Sequence, residues 1–117
     1  MTEQAEQAGP TEWLTMPDVA ERLDMPVNRV HQLVRERSLI AVRENGVLRI
    51  PADFITDDGV LKHLPGVLRL LYDARYNEEE ALRWLYTADD SLPGTPAQAL
   101  RENRGTEVKR RAQALGF

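Results

Sequence analysis

Three features are missing from this sequence: cysteine, a long apolar segment, and a net positive charge. Without cysteine there is no disulfide framework and no thiolate metal site, which fits a reducing compartment. Charged residues interrupt every apolar stretch before it reaches membrane-spanning length. The first twelve residues carry acids and lack the basic and apolar regions of a secretory signal. We therefore expect a cytoplasmic protein that does not enter a membrane.

The net charge of −4 is unusual for a nucleic-acid-binding protein, but the charges are unevenly distributed. Residues 26–50 hold five arginines against two glutamates, and residues 96–117 hold five bases against two acids. Residues 64–95 are acidic in balance, with three bases and six acids. Two basic segments within an acidic chain indicate local anion-binding surfaces.

The sequence shows no catalytic or cofactor-binding pattern. His31 and His63 are far apart and lack the paired spacing of a metal site, so no metal is expected. No glycine-rich phosphate loop and no nucleophile with its base is visible. We predict that the protein is not an enzyme and has no cofactor or small-molecule substrate.

The 117 residues are the length of one domain with a helical extension. The polar segment 1–12, ending in Gly9-Pro10, predicts a disordered tail. Residues 13–59 predict a winged helix-turn-helix, and residues 60–117 a helical region packed on it. The predicted fold class is mainly α with a small β-hairpin.

A first helix is predicted to start at Thr15, which forms a capping-box pattern with Asp18. After a break at residues 24–26, a second helix is predicted over 27–37. Val27, Val30, Leu33 and Val34 give this helix one apolar stripe. Two short helices joined by a tight turn are typical of a helix-turn-helix.

The opposite face of the second helix carries Asn28, Gln32 and Arg35 in one row, flanked by Arg29 and Glu36 on one side and by His31 on the other. Asn and Gln pair with adenine and Arg with guanine in the major groove, so this row fits direct base recognition. The alternative is an ordinary solvated helix face.

Over residues 39–51 the spacing of apolar residues changes from the helical period to every second residue, on both sides of Asn45-Gly46. Asn-Gly is the preferred type I′ turn and predicts a hairpin. Arg43 and Arg49 flank its tip, where they would meet phosphates or enter a minor groove. The alternative is a pair of solvated strand arginines.

Residues 14–54, LTMPDVAERLDMPVNRVHQLVRERSLIAVRENGVLRIPADF, resemble the winged helix-turn-helix of MerR-type regulators and excisionases. With LPGVLRLLYDARYNEEEALRWLYT and VKRRAQALGF, the chain more closely resembles a family of small actinobacterial DNA-binding proteins. The resemblance implies a transcriptional regulator that places the second helix in the major groove and the hairpin on the backbone or minor groove. The long dimerisation helix and effector domain of MerR activators are not found, so effector sensing of that kind is not expected. The candidate DNA-binding residues are Thr15, Asn28, Arg29, His31, Gln32, Arg35, Arg37, Arg43, Asn45 and Arg49.

The C-terminal segment predicts four helices: one over 64–73, one capped by Asn77 and Glu80, one over 97–102, and one capped by Thr106. The last has a stripe of Val108, Ala112 and Leu115. The basic run Lys109, Arg110 and Arg111 is either a second phosphate contact or the solvated side of this helix.

Two hypotheses for the function follow. The first is a sequence-preferring binder of double-stranded DNA, a transcriptional regulator or architectural factor associated with the nucleoid. Its oligomeric state is open, although tight specific binding by one winged motif usually requires a homodimer on paired half-sites. The second is a protein-interaction module whose C-terminal helices grip a partner, as in antitoxins. Thr2 and Thr11 in the tail are candidate phosphorylation sites for a Ser/Thr protein kinase, where added negative charge would repel DNA.

Overall fold

A computed structural model describes residues 9–116 of the chain. The helices are α1 Met16–Leu23, α2 Val27–Arg35, α3 Leu64–Asp73, α4 Glu78–Leu85, α5 Pro96–Arg101 and α6 Gly105–Ala114. The strands are β1 Trp13–Thr15, β2 Val42–Glu44, β3 Val47–Pro51, β4 Ile55–Thr56 and β5 Gly59–Val60, with a 3-10 turn at Ala52–Phe54. This mainly helical architecture with small antiparallel sheets confirms the predicted fold class.

The wing is a three-stranded antiparallel sheet in the order β1-β3-β2. Its tip is the predicted turn, because Asn45 and Gly46 both have positive φ, 53° and 80°. The third strand, β1, was not predicted; it pairs Leu14 with Ile50 and Thr15 with Arg49. The wing is therefore joined to the segment that leads directly into α1.

Two helices begin with the predicted capping boxes. The Thr15 hydroxyl accepts the Asp18 amide at 3.2 Å, and Asn77 Oδ1 accepts the Glu80 amide at 2.8 Å. The prediction that Thr106 caps the last helix is wrong, because α6 already starts at Gly105 with Arg104 as its N-cap. Gly105, the first residue of α6, is buried against the His63 ring, where any side chain would clash.

A second hairpin, β4–β5, is present that the sequence does not predict. Ile55 pairs with Val60 and Thr56 with Gly59, and the Thr56 hydroxyl donates to the Gly59 carbonyl at 3.0 Å. The predicted domain boundary between residues 59 and 60 therefore cuts through β5. The winged motif and the C-terminal helices are linked by a hairpin that packs on α1.

One continuous apolar core extends from Leu14 to Ala112 and includes side chains of every helix. Val30 of α2, Phe54 of the 3-10 turn and Leu71 of α3 are fully buried in it. Two predicted apolar stripes are shorter than expected, because Val27 and Leu115 are each 37% exposed.

Residues 9–12 are held against the folded chain. The Glu12 carbonyl accepts the Ala52 amide at 2.9 Å, and Gly9 and Pro10 lie beside Tyr86 of the C-terminal region. The prediction of a disordered tail is therefore wrong for residues 9–12, and its remainder, 1–8, lies outside the described residues.

A polar contact fixes the C-terminal helices to the winged motif. The Tyr86 hydroxyl donates to Asp53 Oδ2 at 2.8 Å, and Arg101 Nη1 donates to Asp53 Oδ1 at 3.0 Å. Burial and the Asp53 carboxylate raise the pKa of the Tyr86 phenol. The Tyr86 ring also stacks on Phe54 with 6.4 Å between centroids. Among the described helices, none combines the length and apolarity that crossing a membrane requires.

Candidate nucleic-acid interface

The helix α2 presents one buried and one exposed side, as the sequence predicted. Val30 is fully buried, whereas Leu33 and Val34 are half-buried against the core. The expectation that all the valines turn inward is wrong at Val27, which lies at the exposed first turn. The helix ends at Arg35, two residues earlier than predicted, because Arg37 has a left-handed backbone with φ 64°.

The predicted row is present on the outer side of α2. Asn28 and Arg35 are exposed, and Gln32 is half-exposed between them. The Gln32 amide donates to Glu36 Oε2 at 2.9 Å, so in the free protein its donor group is already occupied. A base would have to replace this bond. The row therefore offers two free side chains and one that must exchange partners.

The residues flanking the row differ in accessibility. Arg29 is exposed, whereas His31 is half-buried. Pro26 precedes the helix and gives no side-chain cap. The first amides of α2, those of Val27 and Asn28, are therefore open to an anionic oxygen. The missing cap was readable from the sequence as proline in place of Ser, Thr, Asp or Asn.

Thr15 is committed to the start of α1. Its hydroxyl accepts the Asp18 amide, and its own amide donates to Asp18 Oδ2 at 3.4 Å. The side chain is half-buried. A DNA contact by Thr15 would have to use the remaining hydroxyl proton.

The two wing arginines lie on opposite faces of the sheet. Arg43 pairs with Leu48, on the face that carries the buried Leu14 and Ile50, and Arg43 Nη1 donates to the Gly46 carbonyl at 3.1 Å. Arg49 is on the other face, opposite Thr15 and Val42. The sequence pattern predicts that both arginines flank one exposed tip. In the structure, only Arg43 lies beside the turn that contains Asn45.

Arg49 lies near protein groups on its own face, although its side chain is 42% exposed. Its Nη1 lies 3.9 Å from Glu44 Oε1, and its Nε is shielded from solvent with no hydrogen-bond partner within residues 9–116. The side chain lines a cleft of about 540 Å³ between the sheet and α4, together with Trp13, Glu78 and Leu82. Arg43 also lines this cleft, so what distinguishes Arg49 is its sheet face and its shielded Nε.

Arg37 also contacts the C-terminal region. Its guanidinium lies 4.6 Å from the centre of the Tyr72 ring, a cation–π geometry. Burial raises the pKa of the Tyr72 phenol to about 12, with Glu78 adding to the shift and Arg37 opposing it. Sequence reasoning missed Tyr72 and its neighbour Arg69, since only tertiary packing brings α3 next to the end of α2.

The three residues of the C-terminal basic run have different surroundings. Arg110 is exposed, whereas Lys109 is half-buried and lies against Gly66 of α3. Arg111 Nε donates to the Ser91 hydroxyl at 2.7 Å, and its Nη1 donates to the Glu107 carbonyl at 2.8 Å. Arg111 therefore anchors the loop before α5, and Arg110 is the residue of the three most available to an external anion.

The candidate phosphorylation sites are only partly described. Thr11 is exposed, and Thr2 lies outside the described residues. Within residues 9–116 no three His, Asp or Glu side chains are grouped to hold a metal ion. His63 is packed against Gly105, and burial, Lys109 and Lys62 lower the pKa of its imidazole.

Family models, relatives and a solved structure match this chain. Residues 8–55 match the family model described as the wHTH domain of DNA-binding protein Rv2175c, and residues 61–116 match the Rv2175c C-terminal domain of unknown function. The chain is 43% identical to DNA-binding protein Rv2175c of Mycobacterium tuberculosis, over 87% of this chain and 79% of that protein. It is also 37% identical to an excisionase of Streptomyces ambofaciens, over 39% of this chain and 74% of the excisionase. The NMR structure of Rv2175c superposes with a TM-score of 0.82 at 39% identity, covering 91% of this chain and 82% of that one.

Proposed function

The chain belongs to the Rv2175c family of DNA-binding proteins, and on this premise we propose that it is a sequence-preferring binder of double-stranded DNA that regulates transcription. One observation carries the proposal. A helix with a fully buried valine at its centre presents Asn28, Gln32 and Arg35 on its outer side. These are the side-chain types that pair with adenine and guanine edges.

The remaining geometry supports a major-groove position for α2. The open amides at the start of the helix suit a backbone phosphate, and Arg43 on the wing suits another. Phosphate contacts would fix the register of the helix, whereas the row Asn28, Gln32 and Arg35 would select the sequence. Neither the phosphate contacts nor the base contacts involve a chemical reaction, and we propose no catalytic activity.

The alternative role, partner binding through the C-terminal helices, has less support. The large apolar side chains that are exposed within residues 9–116 are Val27, Val47 and Leu115, and they lie on α2, the wing and the end of α6. A docking surface for a protein partner normally gathers such side chains in one patch.

The decisive experiment is selection of bound duplexes from a random pool, repeated at two salt concentrations. We expect a defined motif at both, and an affinity that falls steeply with salt because cationic side chains displace counterions. Arg35→Ala should weaken binding by roughly tenfold and relax the preference at one base pair, in line with about 1–3 kcal/mol for a bidentate contact. Recovery of random sequence from the selection, or unchanged binding by Arg35→Ala, would contradict the proposal.

We further propose that the protein binds as a homodimer on paired half-sites and associates with the nucleoid. One winged motif covers a short site, and two copies one helical turn apart would give tighter binding. The selected motif should then be a repeat or a palindrome with a fixed spacing. A single ungapped half-site bound at one protein per duplex would argue for a monomer.

Phosphorylation of the tail by a Ser/Thr protein kinase is proposed at Thr2 or Thr11. Exposed Thr11 precedes β1 and is accessible to a kinase. Added negative charge would oppose the approach of DNA. Thr11→Asp and Thr2→Asp should each be compared with the matching Asn variant in duplex binding. Equal affinities of the Asp and Asn variants at low salt would remove this idea.

A further inference from the structure

A small cavity separates the end of α2 from α3. Its volume is about 230 Å³, and the polar groups around it belong to Glu36, Arg37, Ser38, Arg69, Tyr72 and Asp73. The first three follow α2, and the last three lie on α3. The cavity is thus built half by the winged motif and half by the C-terminal region.

The cavity contains a polar group without a partner. The Tyr72 hydroxyl is shielded from solvent and makes no hydrogen bond to any residue in 9–116. A phenol is both a donor and an acceptor, and a buried one nearly always finds a partner. The Arg37 guanidinium stacks on the ring of the same tyrosine, 4.6 Å from its centre, and this contact restricts the position of the guanidinium group.

We propose that Arg37, Arg69 and the Tyr72 hydroxyl together bind one phosphate of the DNA backbone, which makes the C-terminal region part of the DNA interface. Because the hydroxyl is shielded from solvent in the free protein, this contact requires the side chains around it to move when DNA binds. This inference rests on the proposed function. Its chemistry is that of two guanidinium groups and a phenol donor facing a phosphodiester, whose oxygens accept hydrogen bonds from each. Arg69 and Tyr72 are the residues that the winged motif alone does not supply.

The position of the cavity suits a backbone contact. A nine-residue helix is about 14 Å long, slightly more than the roughly 12 Å width of the major groove. Groups just past the end of such a helix reach the strand that borders the groove. Arg37 is two residues past the end of α2, and Glu36, which lines the cavity, is hydrogen-bonded to Gln32 of the base-facing row.

The two carboxylates at the cavity determine which anion is expected there. Glu36 and Asp73 offset the two arginines, and Glu78 adds a negative charge that acts on the Tyr72 phenol, so a free inorganic phosphate gains little by entering. A phosphate that belongs to a duplex already held by α2 is delivered at high effective concentration and needs far less intrinsic affinity. The site should therefore respond to duplex DNA and not to phosphate ions.

The test uses the full chain, a duplex carrying the selected motif, and Arg69→Ala with Arg83→Ala as its matched control. Both arginines are exposed on helices, but Arg83 does not line the cavity. We expect Arg69→Ala to weaken binding roughly fivefold at low salt. It should also reduce the salt slope, which is the slope of log affinity against log salt concentration, by about one. Arg83→Ala should change neither the affinity nor the salt slope. Tyr72→Phe should weaken binding roughly threefold, a modest loss for one hydrogen bond.

A second measurement follows the ring signals of selectively labelled Tyr72 during titration. We expect them to shift with duplex and to stay in place with inorganic phosphate alone. If wild type binds the duplex and Arg35→Ala weakens it, while Arg69→Ala and Tyr72→Phe behave like Arg83→Ala, the inference fails and the proposed function stands. An equal shift with phosphate ions would also overturn it. Failure of Arg35→Ala to weaken binding would instead remove the proposed function itself.

Discussion

The Tyr86 hydroxyl and the Asp53 carboxylate, 2.8 Å apart, join the fourth helix to the turn that follows the wing. Removing the hydroxyl in Tyr86→Phe leaves Asp53 with Arg101 alone. We expect the free energy of unfolding to fall by about 1–2 kcal/mol, the usual cost of a hydrogen bond to a charged group that is partly buried. Urea denaturation checks this. Tyr76→Phe is the control, because the Tyr76 hydroxyl has no partner in residues 9–116, and equal losses for both variants would contradict the assignment.

The two tyrosines with raised pKa values make stability sensitive to alkaline pH. A phenol whose pKa is higher in the folded than in the unfolded state favours folding fully below pH 10, and this contribution is lost as the pH rises through the folded pKa, about 12 for Tyr72. We therefore expect stability to decline between pH 10 and 12. Thermal melts across this range, with tyrosinate absorbance followed in parallel, measure both quantities.

The matched variants for this prediction are Tyr72→Phe and Tyr86→Phe. Each should have a shallower alkaline decline, because one of the groups that must ionise is gone. A decline that is identical in wild type and in both variants would show that other groups cause it.

The contact between Gly105 and His63 predicts that Gly105→Ala changes stability in opposite directions with and without the His63 side chain. An alanine Cβ at Gly105 would clash with the His63 ring, so Gly105→Ala should destabilise by about 1–3 kcal/mol. A His63→Gly background removes the ring and also the His63 Cβ, which would lie 3.0 Å from the added methyl group. There the better helix propensity of alanine should make the same change neutral or stabilising. A double-mutant cycle by chemical denaturation tests this. Additive effects would disprove the contact.

Arg111 is expected to stabilise a loop rather than to contact DNA. Arg111→Lys retains the charge but loses the fork that holds Ser91 and the Glu107 carbonyl. Amide hydrogen exchange over residues 89–94 should accelerate, while duplex affinity changes little. The exposed neighbour in Arg110→Lys serves as the control and should leave the exchange unchanged. A loss of affinity in Arg111→Lys without faster exchange would point to a direct phosphate contact.

The wing arginines should behave differently in DNA binding. Arg43→Ala is expected to weaken binding to all sequences alike and to lower the salt slope by about one. Arg49→Ala should leave the slope unchanged, because its guanidinium lies near Glu44 on the other sheet face. Duplex titrations at several salt concentrations separate the two. Equal slope changes would mean that both faces of the wing meet the backbone.

Local signals were readable from the sequence, and contacts between distant segments were not. The capping residues Thr15 and Asn77 and the turn at Asn45 each act within a few residues, so their patterns identified the correct positions. The polar row of α2 followed from helical period alone. DNA contacts by these residues stay predictions.

Two of the errors share one physical cause. Strand β1 exists because Leu14 pairs with Ile50, and three residues do not make an alternating pattern. Thr106 had the right residue type for a cap, but α6 starts one residue earlier, where Gly105 packs on His63. In both cases the partner lies far along the chain. The placement of Arg43 and Arg49 on opposite faces is different, because the two-residue turn at Asn45-Gly46 already pairs Arg43 with Leu48 and Val42 with Arg49, so this register was readable from the sequence.

The β4–β5 hairpin implies that the two family segments melt as one. Residues 56–60 fall between the two matched segments. In the hairpin that contains them, Ile55 pairs with Val60, and both strands pack on α1. Cutting the chain between β4 and β5 would leave one unpaired strand on each fragment and would expose the shared apolar core to water. Calorimetry of the intact chain should therefore show a single cooperative transition, and neither fragment should fold alone.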